Sequence, residues 1–218
     1  MKTDKQVQQD VIAELGWEPS VNATHIGVEV SNGVVTLAGH VGSYTEKFNA
    51  ERAAQRVAGV KALAVEMDVK LAGSTAKRTD AEIAESVENV LQWATYFPTD
   101  TIKVKVEGGW ITLSGEVEWE YQRQAASDAV RLLSGVTGVT NLIVIEPSAS
   151  KTLVKSDIEA ALKRRARTDA QKISVDVQGS DVTLTGSVHS WSERELARDS
   201  AWNSPGVRNV VDKMTVSY

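Results

Sequence analysis

Three stretches of the chain alternate apolar and polar residues with a period of two. They are Ile26-Gly27-Val28-Glu29-Val30, Ile102-Lys103-Val104-Lys105-Val106 and Ile173-Ser174-Val175-Asp176-Val177. This alternation predicts a strand with one buried and one wet face, as antiparallel pairing permits. Ahead of each strand the spacing is that of a helix. Val7, Val11 and Leu15 fall at i, i+4, i+8, as do Ile83, Val87 and Leu91, and Ile158 with Leu162 is a shorter version. Asp4, Asp80 and Ser156 or Asp157 stand where caps are expected.

A turn follows each strand, at Asn32-Gly33, Gly108-Gly109 and Gly179-Ser180. A second strand comes next: Val35-Thr36-Leu37, Ile111-Thr112-Leu113 or Val182-Thr183-Leu184. Each ends at a glycine, Gly39, Gly115 or Gly186, which predicts a bulge or a close backbone approach. A second helix then presents small residues at helical spacing: Ala50, Ala53 and Ala54; Ala126 and Ala129; Ala197, Ser200 and Ala201. It should end near Gly59, Gly135 or Gly206. A third strand closes each set, marked by Met67 and Val69, Ile143 and Ile145, Met214 and Val216.

Segments 26–69, 102–145 and 173–216 align without a gap, which makes internal repetition the strongest signal in the chain. The positions shared by all three are almost all apolar or glycine. They describe a common core and common turns, with no common reactive group. The expected fold is therefore α+β: three tandem modules, each α-β-β-α-β, with a small three-stranded sheet covered on one face by two helices. Their bounds are 1–71, 79–147 and 152–218, with linkers near 72–76 and 147–150. Modules this small bury modest cores, so packing between them matters.

Composition narrows the chemistry. Cysteine is absent, which removes disulfides and thiolate catalysis and mildly favours a reducing compartment. The first residues run straight into a polar helix pattern, so a cytoplasmic location is expected. The net charge of −5 argues against general nucleic-acid binding, and only the last third of the chain is net basic. His25, His40 and His189 lack metal-ligand spacing. Carboxylate pairs such as Glu116 with Glu118 and Glu193 with Glu195 fall where solvated charge is the simpler reading. No phosphate-cradling loop or nucleophile elbow occurs. We expect no enzyme activity, no metal and no cofactor.

Tryptophan and arginine are more informative. Six tryptophans are many for this length. Trp17 and Trp93 follow the first helices at equivalent positions, and core packing over the helix end is the favoured role, since aromatics dominate burial. Ligand or membrane contact is the alternative for Trp93, together with Tyr96 and Phe97 in the loop beyond it. Trp110, Trp119, Trp191 and Trp202 differ between copies and suit contacts between modules or with a partner. Trp110 has the parity of the wet face. The run Lys163-Arg164-Arg165-Ala166-Arg167 closes a first helix. Cations there favour the helix dipole, and they also suit an anionic lipid surface.

The I-x-V-x-V strand, the Gly turn, the V-T-L-x-G strand and the G-V-x-x-V ending recur three times at fixed spacing. In this the chain resembles the BON domain family, and the likeness covers essentially its whole length. The resemblance implies the α-β-β-α-β fold, a role in envelope integrity or osmotic and general stress tolerance, and phospholipid binding. It implies a cytoplasmic triple-module type, in the absence of a leader or lipobox cysteine. A self-associating scaffold, and so a homo-oligomer, is the alternative function. Potassium sensing, known for a relative with an added LysM module, is a weaker one.

Overall fold

Thr3 opens the first helix, α1 (Asp4–Trp17). Its hydroxyl accepts from the Gln6 backbone N–H, and the Gln6 side chain accepts in return from the Thr3 N–H. This reciprocal pairing satisfies two donors that a helix start leaves open. Thr79 and Glu82 repeat the arrangement at the start of α3 (Asp80–Trp93). The caps are thus the threonines, which corrects the expectation that Asp4 and Asp80 would serve. The two aspartates occupy the first turn and reach outward instead. Asp4 accepts from the backbone N–H groups of Asn32 and Gly33 at 2.8 and 3.0 Å, and Asp80 from those of Gly108 and Gly109 at 2.8 Å each. Each carboxylate clasps the first hairpin turn of its own module. The third first helix, α5 (Lys155–Arg165), begins with Lys155, so Ser156 and Asp157 lie inside its first turn.

The computed structural model describes residues 2–71, 78–93, 101–146, 155–165 and 173–217, the side chains of 163 and 165 excepted. Each module is one three-stranded sheet. The first is β1 (Ile26–Ser31), β2 (Val34–Val41) and β3 (Ala62–Val69). The second is β4 (Ile102–Glu107), β5 (Trp110–Val117) and β6 (Gly138–Ile145). The third is β7 (Ile173–Gln178), β8 (Asp181–Val188) and β9 (Asn209–Val216). In each, the second strand is central. It pairs antiparallel with the first, as Val28 with Leu37, and parallel with the third, as Leu37 with Val65. A helix makes each parallel crossover: α2 (Tyr44–Arg56), α4 (Glu120–Arg131) and α6 (Trp191–Trp202).

Register explains the shared glycines. Gly39 sits opposite Ile26 with φ near +128°, and a Cβ there would lie 2.0 Å from the His25 carbonyl oxygen. Gly115 stands the same way to Thr101. The strands approach closely at this point and no side chain fits.

The apolar face of every sheet is covered by its two helices. Val35 and Leu37 of β2 are fully buried beneath Val7, Val11 and Leu15 of α1 and Ala50, Ala53 and Ala54 of α2. The small residues of the second helix let it lie low on the sheet, which maximises dispersion contact. The buried side chains of the first module form their own cluster. Those of the second and third join into one, from Ile83 to Met214. The modules are separate in their sheets and partly merged in their interiors.

The second helices bring the modules together. The start of α2 meets the end of α4, where the Thr45 hydroxyl donates to the Arg131 carbonyl at 2.9 Å. The start of α4 meets the end of α6, where the Arg123 guanidinium lies 4.8 Å from the Trp202 ring centre. The start of α6 meets the first module near the end of α2, where the Trp191 indole N–H donates to the Val60 carbonyl at 2.9 Å. Each module thus offers its helix start to one neighbour and receives the other at its helix end. Such heterologous contacts close into a ring when the rotation permits, and here three copies close it within one chain.

Candidate functional site

Two regions stand out once the core is accounted for: exposed aromatics at the ends of the first helices, and a charged cavity where the second helices meet.

Trp17 and Trp93 end α1 and α3, and both are about nine-tenths in solvent, 85% and 86% exposed. Core packing is therefore the wrong role for this pair. The helical period explains it. Leu15 and Leu91 are the last residues on the buried stripes, and a residue two positions on points away from the sheet. Arg164, near the end of α5, is likewise exposed. The Lys163 and Arg165 side chains, together with Tyr96, Phe97 and Arg167, lie outside the described residues.

The remaining tryptophans fall in three kinds of place. Trp110 lies on the outer face of the second sheet, its ring against Gly138 and its N–H donating to the Thr140 hydroxyl at 2.8 Å. Leu142 and Val144 are exposed on the same face. Trp119 precedes α4 at the place where Ser43 and Ser190 cap the other second helices. An indole cannot accept there. The Gln122 side chain instead accepts from the backbone N–H groups of Glu118 and Trp119, at 3.0 Å each. Trp191 and Trp202 both stand at contacts between modules, as described. Trp202 is buried, and its indole N–H has no hydrogen-bond partner among the described residues.

The cavity has a volume of about 370 Å³. Tyr44 and Phe48 of α2, Arg123, Gln124, Ser127 and Arg131 of α4, Asn141 of β6 and Arg198 of α6 all face it. Three modules therefore contribute to one space. Sequence reasoning missed these residues because no motif joins them. A signal was present: Tyr44, Glu120 and Trp191 are aligned positions that carry three unlike large residues at the start of helices whose sheet-facing positions are mostly small. Positions that face a neighbour diverge where positions that face the common sheet do not.

Burial governs the titration of the groups around this junction. Desolvation pushes the Glu51 carboxyl above the usual glutamate range, and Lys47 opposes it. Desolvation also raises the Glu120 carboxyl, against the pull of Arg123. The Tyr44 hydroxyl is raised for the same reason, with the Glu51 charge adding to it.

His25 and His40 stack with ring centres 4.5 Å apart, a proximity that the strand register creates and sequence spacing hides. Among the described residues no cluster of three or more His, Asp or Glu side chains could hold a metal ion. Nor is any helix among them long and apolar enough to cross a membrane.

The family comparison agrees with the threefold repeat. The family model described as the BON domain matches three times, over residues 3–70, 79–147 and 150–218. Osmotically-inducible protein Y of Escherichia coli K12 is 26% identical over 147 residues, which is 63% of this chain and 70% of that protein. Among solved structures, CdsD, a structural protein of the type III secretion system of Chlamydia trachomatis, aligns over 97% of this chain and 92% of its own. Identity is 16% and the TM-score 0.27. The C-terminal domain of the same protein aligns over the full length of both chains at 15% identity and a TM-score of 0.25.

Proposed function

The chain belongs to the BON domain family, and on that footing we propose that it is a non-catalytic, stress-related binding protein that meets anionic phospholipid surfaces. The observation that carries the reading is the exposure of Trp17 and Trp93 at the same place in two copies. A tryptophan left in water at a helix end is poorly placed for stability and well placed for the headgroup level of a bilayer, where indoles concentrate. The third such end carries the basic run that includes Arg164, which suits an anionic headgroup. Each basic group near such a surface contributes about 1 kcal/mol at moderate salt. The net charge of −5 opposes approach elsewhere on the molecule, so binding should be oriented and salt-sensitive. We place the encounter at the cytoplasmic leaflet, whose surface potential is negative.

Co-sedimentation with phosphatidylglycerol vesicles at low salt tests this. The double variant Trp17→Ala/Trp93→Ala should bind at least about tenfold more weakly, because two indoles each lose partial burial. Tryptophan fluorescence of the parent should shift to the blue on binding. A parent protein that stays in the supernatant at low salt would rule lipid out.

A second reading has its own support. Trp110, Leu142 and Val144 make the outer face of the second sheet more apolar than those of its neighbours, as a protein-binding or self-associating scaffold would need. Light scattering separates the two: a monomer at all accessible concentrations excludes self-association.

A further inference from the structure

Of the three module junctions, one is built differently. We propose that the cavity between α2, α4 and α6 is a binding site for a phosphate-class oxyanion, inorganic phosphate or a small phosphomonoester.

The cavity wall carries three guanidinium groups, from Arg123, Arg131 and Arg198, and a single carboxylate, from Glu120. Arginines outnumber carboxylates on the wall itself, with Asp128 and Asp212 standing behind two of them. Neighbouring contacts position the arginines and leave part of each fork for a ligand. Arg123 Nε meets Glu120 at 2.7 Å while its plane lies over Trp202. Arg131 Nη2 meets Asp128 at 2.7 Å and its plane lies 3.9 Å from the Phe48 ring centre. Arg198 Nε is 4.0 Å from Asp212, at the limit of an ion pair. Stacked and tethered in this way, two of the three lose little further freedom on binding, which is where preorganised sites gain affinity. A guanidinium presents paired donors that match the oxygens of a phosphate. Gln124, Ser127 and Tyr44 add neutral hydrogen-bonding groups, and the Asn141 amide, which donates to the Arg123 carbonyl and the Ser127 hydroxyl, holds the wall in shape. The volume suits a phosphomonoester and lies within the range of small-ligand sites.

The equivalent positions in the other copies argue that this is a property of one junction. The counterparts of Arg123 are Lys47, whose ammonium donates to the Met67 carbonyl at 2.8 Å, and Arg194, held by Asp212 at 2.7 Å. Asn141 stands where Asp212 does, so the second module has an amide in place of the neutralising carboxylate. The counterparts of Arg131 are Gln55 and Trp202, and those of Arg198 are Glu51 and Ser127. The cations are gathered at a single place.

Thermal unfolding of the full chain in inorganic phosphate, and separately in glycerol phosphate, against sodium chloride of equal ionic strength, tests the site. Both anions should raise the midpoint beyond chloride. Arg198→Gln should weaken the apparent affinity about tenfold, the equivalent of one charge-assisted contact. Gln124→Glu, an exposed change that adds a negative charge to the wall, should do the same. Lys103→Gln, on the distant outer face of the second sheet, should not. A midpoint that follows ionic strength alone, or a phosphate shift indifferent to both cavity variants, overturns the proposal. Phosphatidylglycerol vesicles form the second arm. If Arg198→Gln weakens vesicle binding as well, the phosphate is that of a lipid headgroup; if it does not, the ligand is soluble. Because Trp17 and Trp93 lie outside the cavity, failure of vesicle binding leaves the phosphate test intact.

Discussion

At the scale of single residues, the glycine that ends each second strand is the least replaceable position. Gly115 combines φ near +131° with a carbonyl oxygen 2.0 Å from where a Cβ would stand. Gly115→Ala should cost roughly 3 kcal/mol by urea unfolding, or prevent folding, since the strain and the overlap are felt together. Glu51 is the opposite case, a residue the fold tolerates with difficulty. Its carboxyl is raised by burial, so at pH values between the unfolded and native midpoints the native state holds a proton that the unfolded chain releases. Stability from this group is greatest below the ordinary glutamate value of 4.5 and falls as pH rises through the raised native value. Glu51→Gln should therefore raise the melting temperature more at pH 7.5 than at pH 5. Equal shifts at the two pH values would mean the effect is not one of ionisation.

At the scale of elements, the sequence announced nearly everything that serves a module's own interior. Val28, Leu37 and Met67 alternate as strands must, and Val7, Val11 and Leu15 keep helical spacing, because burial against one sheet imposes a period. What it concealed depends on distance along the chain. Asp4 and Asp80 read as caps from their position, and only the folded hairpin shows their carboxylates holding turns 28 and 29 residues away. Removing the clasp with Asp80→Ala should cost about 2 kcal/mol, measured by chemical denaturation, as two charge-assisted bonds to backbone N–H groups are lost. Trp17 and Trp93 misled for a related reason: size suggested burial, whereas their place on the helix decided exposure. The cavity arginines were out of reach, since Arg123, Arg131 and Arg198 acquire a common purpose only when three modules close on each other.

At the scale of the whole molecule, closure rests on a few bonds of differing kind. Trp191→Phe keeps the ring packing and deletes the N–H bond to Val60, so it should lower stability by about 1 kcal/mol in thermal or urea unfolding. Hydrogen exchange should then quicken first at the contact of α6 with the first module, whose core is separate from the other two. Tethering the copies has a further result. Three free subunits would have to meet again after every dilution, and all their junctions would be alike. Joined in one polypeptide, the copies face each other at an effective concentration in roughly the millimolar range, so the assembly survives at any abundance in the cell. Each junction is also free to specialise by itself. One can stay a plain hydrogen-bonded seam while another gathers charge, a division of labour that identical subunits cannot reach.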